Sequence, residues 1–170
     1  MKKYPYAIIK IPFLEFWIYT RHHGFPSPLL DWSASPYIAA FFAFEDQLTK
    51  AGNIAIYAYF EPIETSSDSD NPSRIRIIGE PGLRTHERHY LQQSWYTLAY
   101  LTDEPNNKHV ISDYNNLFLK EEYVFVKIII PKSQGIQALT YLHEHNINNF
   151  SLMHSEESLL KTMAFKLLTI

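Results

Sequence analysis

The chain has 170 residues, 46% of them apolar and 15% aromatic, with 15 basic against 18 acidic side chains and a formal net charge of -3. A chain of this length makes one domain that buries about two-thirds of its unfolded surface. The charge balance excludes a general nucleic-acid binder, which needs many uncompensated Lys and Arg to displace phosphate counterions, and leaves only a local basic patch open. The absence of cysteine excludes disulfides, thiolate zinc sites and a cysteine nucleophile.

The opening MKKYPYAIIKIPFLEFWIY imitates a secretory signal, but Pro5, Lys10, Pro12 and Glu15 interrupt any apolar region. No uninterrupted apolar run approaches the roughly 18 residues of a membrane span. The expectation is a soluble cytoplasmic protein with no membrane partner. From Phe13 to His23 the apolar spacing is helical, with Gly24 as a C-terminal stop. Pro26 and Pro28 then forbid helix, and Leu29 to Trp32 reads as a short buried strand. Ser35-Pro36 is a helix start, with serine as cap and proline in the first turn. Tyr37 to Phe44 is wholly apolar, so that helix is expected to be surrounded on all sides.

Asn53 to Phe60 reads as a strand, Pro62 to Ser73 as a polar surface loop, and Arg74 to Ile78 as a half-buried strand. Pro81-Gly82 marks a turn. The segment HERHYLQQSWYTLAYL reads equally as strand or helix, and Asp103 to Asn116 as a loop. Tyr123 to Ile130 is the clearest strand. Ser133 then caps a helix running to about His145, with Asn146 as its stop. Ser155 caps a last helix with Glu156 and Glu157 in its first turn, and Leu159, Leu160, Met163 and Leu167 lie on one side of it. Helices and strands interleave without strict βαβ alternation. That order gives α+β, with a mixed or antiparallel central sheet and flanking helices.

The stretch HHGFPSPLLDWSASPYIAAFFA resembles the signature of the FRG domain, a bacterial family named for a Phe/Tyr-Arg-Gly motif. The family pattern runs roughly His-x-Gly-Leu-Pro-Thr-Arg-Leu-Leu-Asp-Trp-Thr-x-Ser-Pro, then alanine and a Phe-Ala pair. His22, Gly24, Pro26, Leu29, Leu30, Asp31, Trp32, Ser35, Pro36, Ala39, Phe42 and Ala43 stand in that spacing. Ser27 and Pro28 replace Thr and Arg, and Ser33 replaces Thr. A second family pattern is matched by Arg88, Gln92, Tyr96 and Thr97, with Ser94 in place of glycine. The resemblance spans about Phe13 to Leu168. The naming tripeptide itself does not occur, so the chain reads as a single FRG-like domain lacking its N-terminal part. That part is either lost, misassigned at the start, or supplied by another polypeptide.

The resemblance brings no established activity. By analogy of layout alone, ADP-ribosyltransferases set an Arg or His on an early strand, a Ser/Thr on a second strand before a packed helix, and a Glu or Gln-x-Glu on a third. Ser33 and Gln92 are the matching candidates for catalysis, Gln93 standing beside Gln92 as an alternative. His23, Asp31, Arg88 and Tyr96 are candidates for holding the ligand. NAD would be the substrate, and no cofactor is required. A carboxylate would stabilise the oxocarbenium-like ribose by charge; a glutamine keeps the hydrogen bond and loses the charge, which implies slow transfer or binding alone. Asp31 has two readings: a carboxylate for a hydroxyl, a guanidinium or a protonated His23, or a partner for backbone N–H groups of the Ser33–Pro36 turn. The pairs His22/His23 and His86/His89 lack the spacing of a helical zinc site and read as hydrogen-bonding histidines near the core. Arg74, Arg76, Arg84 and Arg88, interleaved with Tyr90, Trp95 and Tyr96, could grip a phosphate, a dinucleotide or single-stranded nucleic acid. The alternatives to a nucleotide-binding or transferase domain are a non-catalytic module for nucleic acid or a partner protein, and an inactive truncated member.

Overall fold

The computed structural model describes residues 14–46, 51–60, 73–78, 85–103, 108–114 and 124–169. Helix α1 (Leu14–Arg21) carries Glu15 in its first turn and Arg21 in its last, matching the sign of the helix dipole at both ends. It stops at Gly24, whose φ of 78 suits a residue without a Cβ, and Phe25 N–H closes back on the Thr20 carbonyl at 3.1 Å. The proline-rich passage leads into strand β1 (Leu30–Ser33). Ser35 then accepts from the Ile38 N–H at 3.4 Å and Pro36 opens helix α2 (Pro36–Glu45), as the Ser-Pro pair implied.

The expectation that α2 is enclosed all round is wrong. Ile38, Phe41 and Phe44 are buried, but Tyr37 is 54% and Phe42 40% exposed. The stripe at i, i+3, i+6, with Ala40 and Ala43 packed beside it, faces inward, against helix α4 (Gly135–Glu144) and strand β2 (Asn53–Phe60). The apolar outer face of α2 is therefore half wet.

Two antiparallel sheets follow, and the α+β class holds. Strand β4 (Ser94–Asp103) is the centre of the first. Strand β3 (Ser73–Ile78) pairs along one of its edges. Strand β1 and then β5 (Lys108–Ile111) take successive segments of the other, β1 at Ser94–Thr97 and β5 at Tyr100–Asp103. The second sheet is a ribbon of β2 (Asn53–Phe60) and β6 (Val124–Pro131), registered Ile54 to Ile130 and Ile56 to Ile128. The segment that read equally as helix or strand is both: one turn, α3 (Arg88–Leu91), then β4. Gln93, at φ 47, makes the left-handed break between them. The loop expected over 103–116 contains β5, because Val110 and Ile111 find open backbone groups on β4. The loop expected over 62–73 lies outside the described residues apart from Ser73, and the turn at 81–82 lies outside them.

In the last third, Ser133 is not a cap. It sits in a 3-10 turn (Lys132–Gln134), and α4 (Gly135–Glu144) starts without a side-chain cap. Asn146 ends this region at φ 59, as expected of an Asn stop. A short helix that the sequence reading lacked, α5 (Asn149–Met153), opens on an Asn148/Ser151 capping box. Ser155 accepts from the Ser158 N–H at 3.2 Å at the head of helix α6 (Glu156–Thr169).

Two cores result. Ile38, Phe41, Phe44, Ile54, Leu139, Leu142 and Leu152 form one, under α2. Ile18, Leu29, Tyr96 and Leu98 form the other, between α1 and β4. Among the described residues no helix is long and apolar enough to cross a membrane.

Candidate functional site

The pairing of β1 with β4 brings the two sequence motifs side by side, Asp31 opposite Tyr96 and Ser33 opposite Ser94. Ser33 and Gln92 thus meet, though not as two side chains facing a common ligand. Ser33 Oγ donates to the backbone carbonyl of Gln92 at 2.8 Å and accepts from the Ser35 N–H at 3.1 Å. Ala34 N–H adds a bond to the Gln93 carbonyl at 2.9 Å. Together these bonds tie the start of α2 to the α3–β4 turn. The Gln92 carboxamide reaches away, donating to the Leu152 carbonyl at 3.1 Å and lying 3.3 Å from Met153 Sδ. It satisfies one of the carbonyls left open at the end of α5.

Asp31 binds a guanidinium and not the turn. Arg21 Nε donates to Asp31 Oδ2 at 2.6 Å, joining the end of α1 to β1. The N–H groups of Ala34, Ser35 and Ile38 go instead to Gln93, Ser33 and Ser35. Desolvation raises the Asp31 carboxyl above its ordinary pKa against the pull of Arg21. Half of that side chain still meets solvent, so the pair contributes little stability.

Tyr96 is fully buried, and its hydroxyl lies between two imidazoles, 3.0 Å from His22 Nε2 and 3.1 Å from His89 Nδ1. A phenol has one proton to give, so one neutral ring accepts it while the other can donate its own N–H. His89 also stacks on the Tyr96 ring at 5.7 Å and 13°. Burial lowers the pKa of His89. Burial first, then the positive charge of His86, His89, Arg88 and His23, pushes His22 down to about 4. Burial likewise raises the Tyr96 phenol. The group is neutral at physiological pH. Enclosed as it is, Tyr96 holds the histidines in place and offers a ligand no face of its own. Beside it, Trp32 Nε1 donates to Thr97 Oγ1 at 2.9 Å, and Tyr114 donates to the Thr97 carbonyl, sealing the same strand pair.

Around this line the surface is a shelf of imidazoles and one guanidinium. The His22 and His86 rings stand 6.4 Å apart, His23 and His86 5.7 Å, and Tyr19 and His23 4.9 Å. Arg88 spans the shelf from below. Its Nε donates to the Met153 carbonyl at 3.3 Å and its Nη1 to the His22 carbonyl at 3.4 Å. His86 Nδ1 accepts the Arg88 N–H at 3.2 Å, so the neutral ring carries its proton on Nε2, a donor for an anion. Glu87, the nearest carboxylate in sequence, is exposed and stands 3.8 Å from His154 Nδ1.

Of the residues anticipated from sequence, Arg88 and His23 belong to this shelf, Asp31 and Tyr96 support it, and Ser33 and Gln92 brace its edge. His22, His86 and Arg21 were not named for the site. In the sequence His22 stands beside the named His23, with Arg21 just before it, and His86 opens the HERH segment that holds the named Arg88. Among the described residues no three His, Asp or Glu side chains are arranged to hold a metal ion. The side chains of Arg74, Arg76 and Arg84 lie outside the described residues.

The FRG domain family model matches residues 4–52, a stretch that includes α1, β1 and α2 and all of the signature from His22 to Ala43. No curated protein and no solved structure matches the chain.

Proposed function

We propose that this chain, with its FRG-domain match, binds a nucleotide-like anion on the shelf formed by His22, His23, His86 and Arg88. The observation that carries the reading is the grouping of the His22, His23 and His86 rings, with Arg88 bonded to the His22 carbonyl and to His86 Nδ1. Burial, with the positive charge of His86, His89, Arg88 and His23 beside it, lowers the pKa of His22. A phosphate placed there would accept from His86 Nε2 and the Arg88 guanidinium, and charge-assisted bonds of that kind are worth about 1.5–3 kcal/mol each. The neighbouring rings of Tyr19 and His23 give a base or nicotinamide an aromatic surface to lie against. NAD and ADP-ribose combine these features.

Binding, and not rapid transfer, is the favoured form of this reading. Ser33 and Gln92 would have to leave backbone partners to reach a ribose, and a glutamine adds no charge to an oxocarbenium-like transition state. Glycosyl transfer is the finer possibility, detected as nicotinamide release.

Isothermal titration of NAD, ADP-ribose and a short single-stranded oligonucleotide tests the reading. NAD and ADP-ribose should bind, and more weakly as salt screens the charge that attracts them. His23→Ala with His86→Ala should weaken both by about tenfold or more. If only the oligonucleotide gives heat, the shelf serves nucleic acid instead. If none does, the proposal falls.

A further inference from the structure

A cavity of about 320 Å³ opens at the edge of the core under α2, walled by α2, α4 and α6 and by the turn into α5. Each of the three helices gives it one apolar and one polar side chain, a single turn apart and so on the same face. Phe41 and Glu45 come from α2, Leu139 and His143 from α4, Phe165 and Lys161 from α6. Phe41 and Leu139 are buried, and Ile147 and Phe165 pack on the same core. The His143 and Phe165 rings stand 6.0 Å apart. Small-molecule sites start at about 300 Å³ and combine an apolar floor with a few polar groups, and this cavity has both features.

Charge at the rim selects the ligand. Helix α2 ends on Glu45 and Asp46 with no basic residue in its last turn, so two carboxylates gather at the negative end of its dipole. Burial, and then Asp46, raises the Glu45 carboxyl above its ordinary pKa, against the pull of Lys161 and a hydrogen bond from Asn149. The exposed Lys161 ammonium is held by Glu157 at 3.1 Å. Among the described residues neither Glu45 nor Asp46 forms an ion pair. A cation at the rim answers both carboxylates and the helix end together. We propose that this cavity binds a small organic amine, its ammonium beside Glu45 and Asp46 and its hydrocarbon body against Phe41, Ile147 and Phe165. An anion would meet the two carboxylates, and an inorganic cation would leave the hydrocarbon floor unused. An arylalkyl ammonium uses both parts. The site is separate from the histidine shelf and takes the opposite charge.

Phenethylamine is the probe, with phenethyl alcohol as its neutral counterpart and hydrocinnamate as its anionic one. Titration of the full chain near neutral pH, followed by histidine side-chain NMR, should give saturable shifts of His143 with phenethylamine while His22 and His86 stay in place. A Kd of about 1 mM or tighter is expected of so small a ligand. Phenethyl alcohol should bind about tenfold more weakly, and hydrocinnamate more weakly still. Glu45→Gln should weaken phenethylamine by about tenfold. That variant keeps a partner for Asn149 and loses a carboxylate that burial disfavours, so its urea midpoint should not fall. Asp46→Asn is a second variant. It leaves the backbone cap of α2 intact and should weaken binding by about threefold. Hydrocinnamate binding as tightly as the amine would overturn the proposal, as would shifts of His22 and His86 in place of His143. Unchanged affinity in either variant, or no saturable shift at about 10 mM phenethylamine, would do the same.

Discussion

The core under α2 and the core between α1 and β4 are equally well buried and differ in what they bury. The first is aliphatic and aromatic throughout, seven residues from α2, β2, α4 and α5. The second packs Tyr96 against His89 and Ser94, both nearly inaccessible, and the Tyr96 hydroxyl shares hydrogen bonds with His22 and His89. An apolar core is held by area and shape and tolerates any pH. A polar one is held by directed bonds that must each find a partner, so it fixes the positions of particular atoms and depends on protonation. The proposed binding shelf lies over the second core. The first is scaffold.

That contrast can be broken at several points. Phe41→Ala empties the middle of the apolar core and should cost about 3–5 kcal/mol in urea unfolding at any pH, with the histidine shelf unchanged until the chain unfolds. Tyr96→Phe keeps the ring but leaves the imidazoles of His22 and His89 facing a carbon. It should cost about 1–3 kcal/mol and increase the mobility of both rings in NMR relaxation.

Acid separates the cores without mutation. His22 and His89 have pKa values below their unfolded value, so between about pH 6.5 and about pH 4 the unfolded chain binds protons that the folded chain refuses. Their contribution is complete above that window and is lost as pH falls through it. Urea midpoints should decline across this range, and His22→Asn should flatten the decline. Asp31→Ala is the smallest change. It removes a half-exposed ion pair and should move stability by no more than about 1 kcal/mol, because the turn beside it is held by Ser33 and Ser35.

The sequence was most legible where local rules act alone. Gly24, Ser35-Pro36, Asn146 and Ser155 mark ends of elements that the structure places within a residue or two, because caps and stops are decided by their immediate neighbours. The α+β class followed from the order of those elements. What could not be read was set by distant partners. Nothing near Val110 and Ile111 announces a strand until β4 offers them its edge, and the outer face of α2 is apolar although half of it meets water. The site was legible in part for the same reason. Pairing of β1 with β4 brought both motifs together. Yet the side chains of Ser33 and Gln92 were claimed by carbonyls that the linear sequence does not place beside them, the Gln92 carboxamide by one about sixty residues away. His22 and His86 could be judged only once their separation was known.

The central claim is that the imidazole and guanidinium shelf, and no apolar surface of the scaffold, receives the ligand. The most direct measurement is the set of histidine side-chain NMR resonances as ADP-ribose is added near pH 6. The account predicts saturable shifts in His22, His23 and His86, with His143 and His145 on α4 and its end unmoved. Shifts confined to His143 and His145, or none at millimolar ADP-ribose, would contradict it.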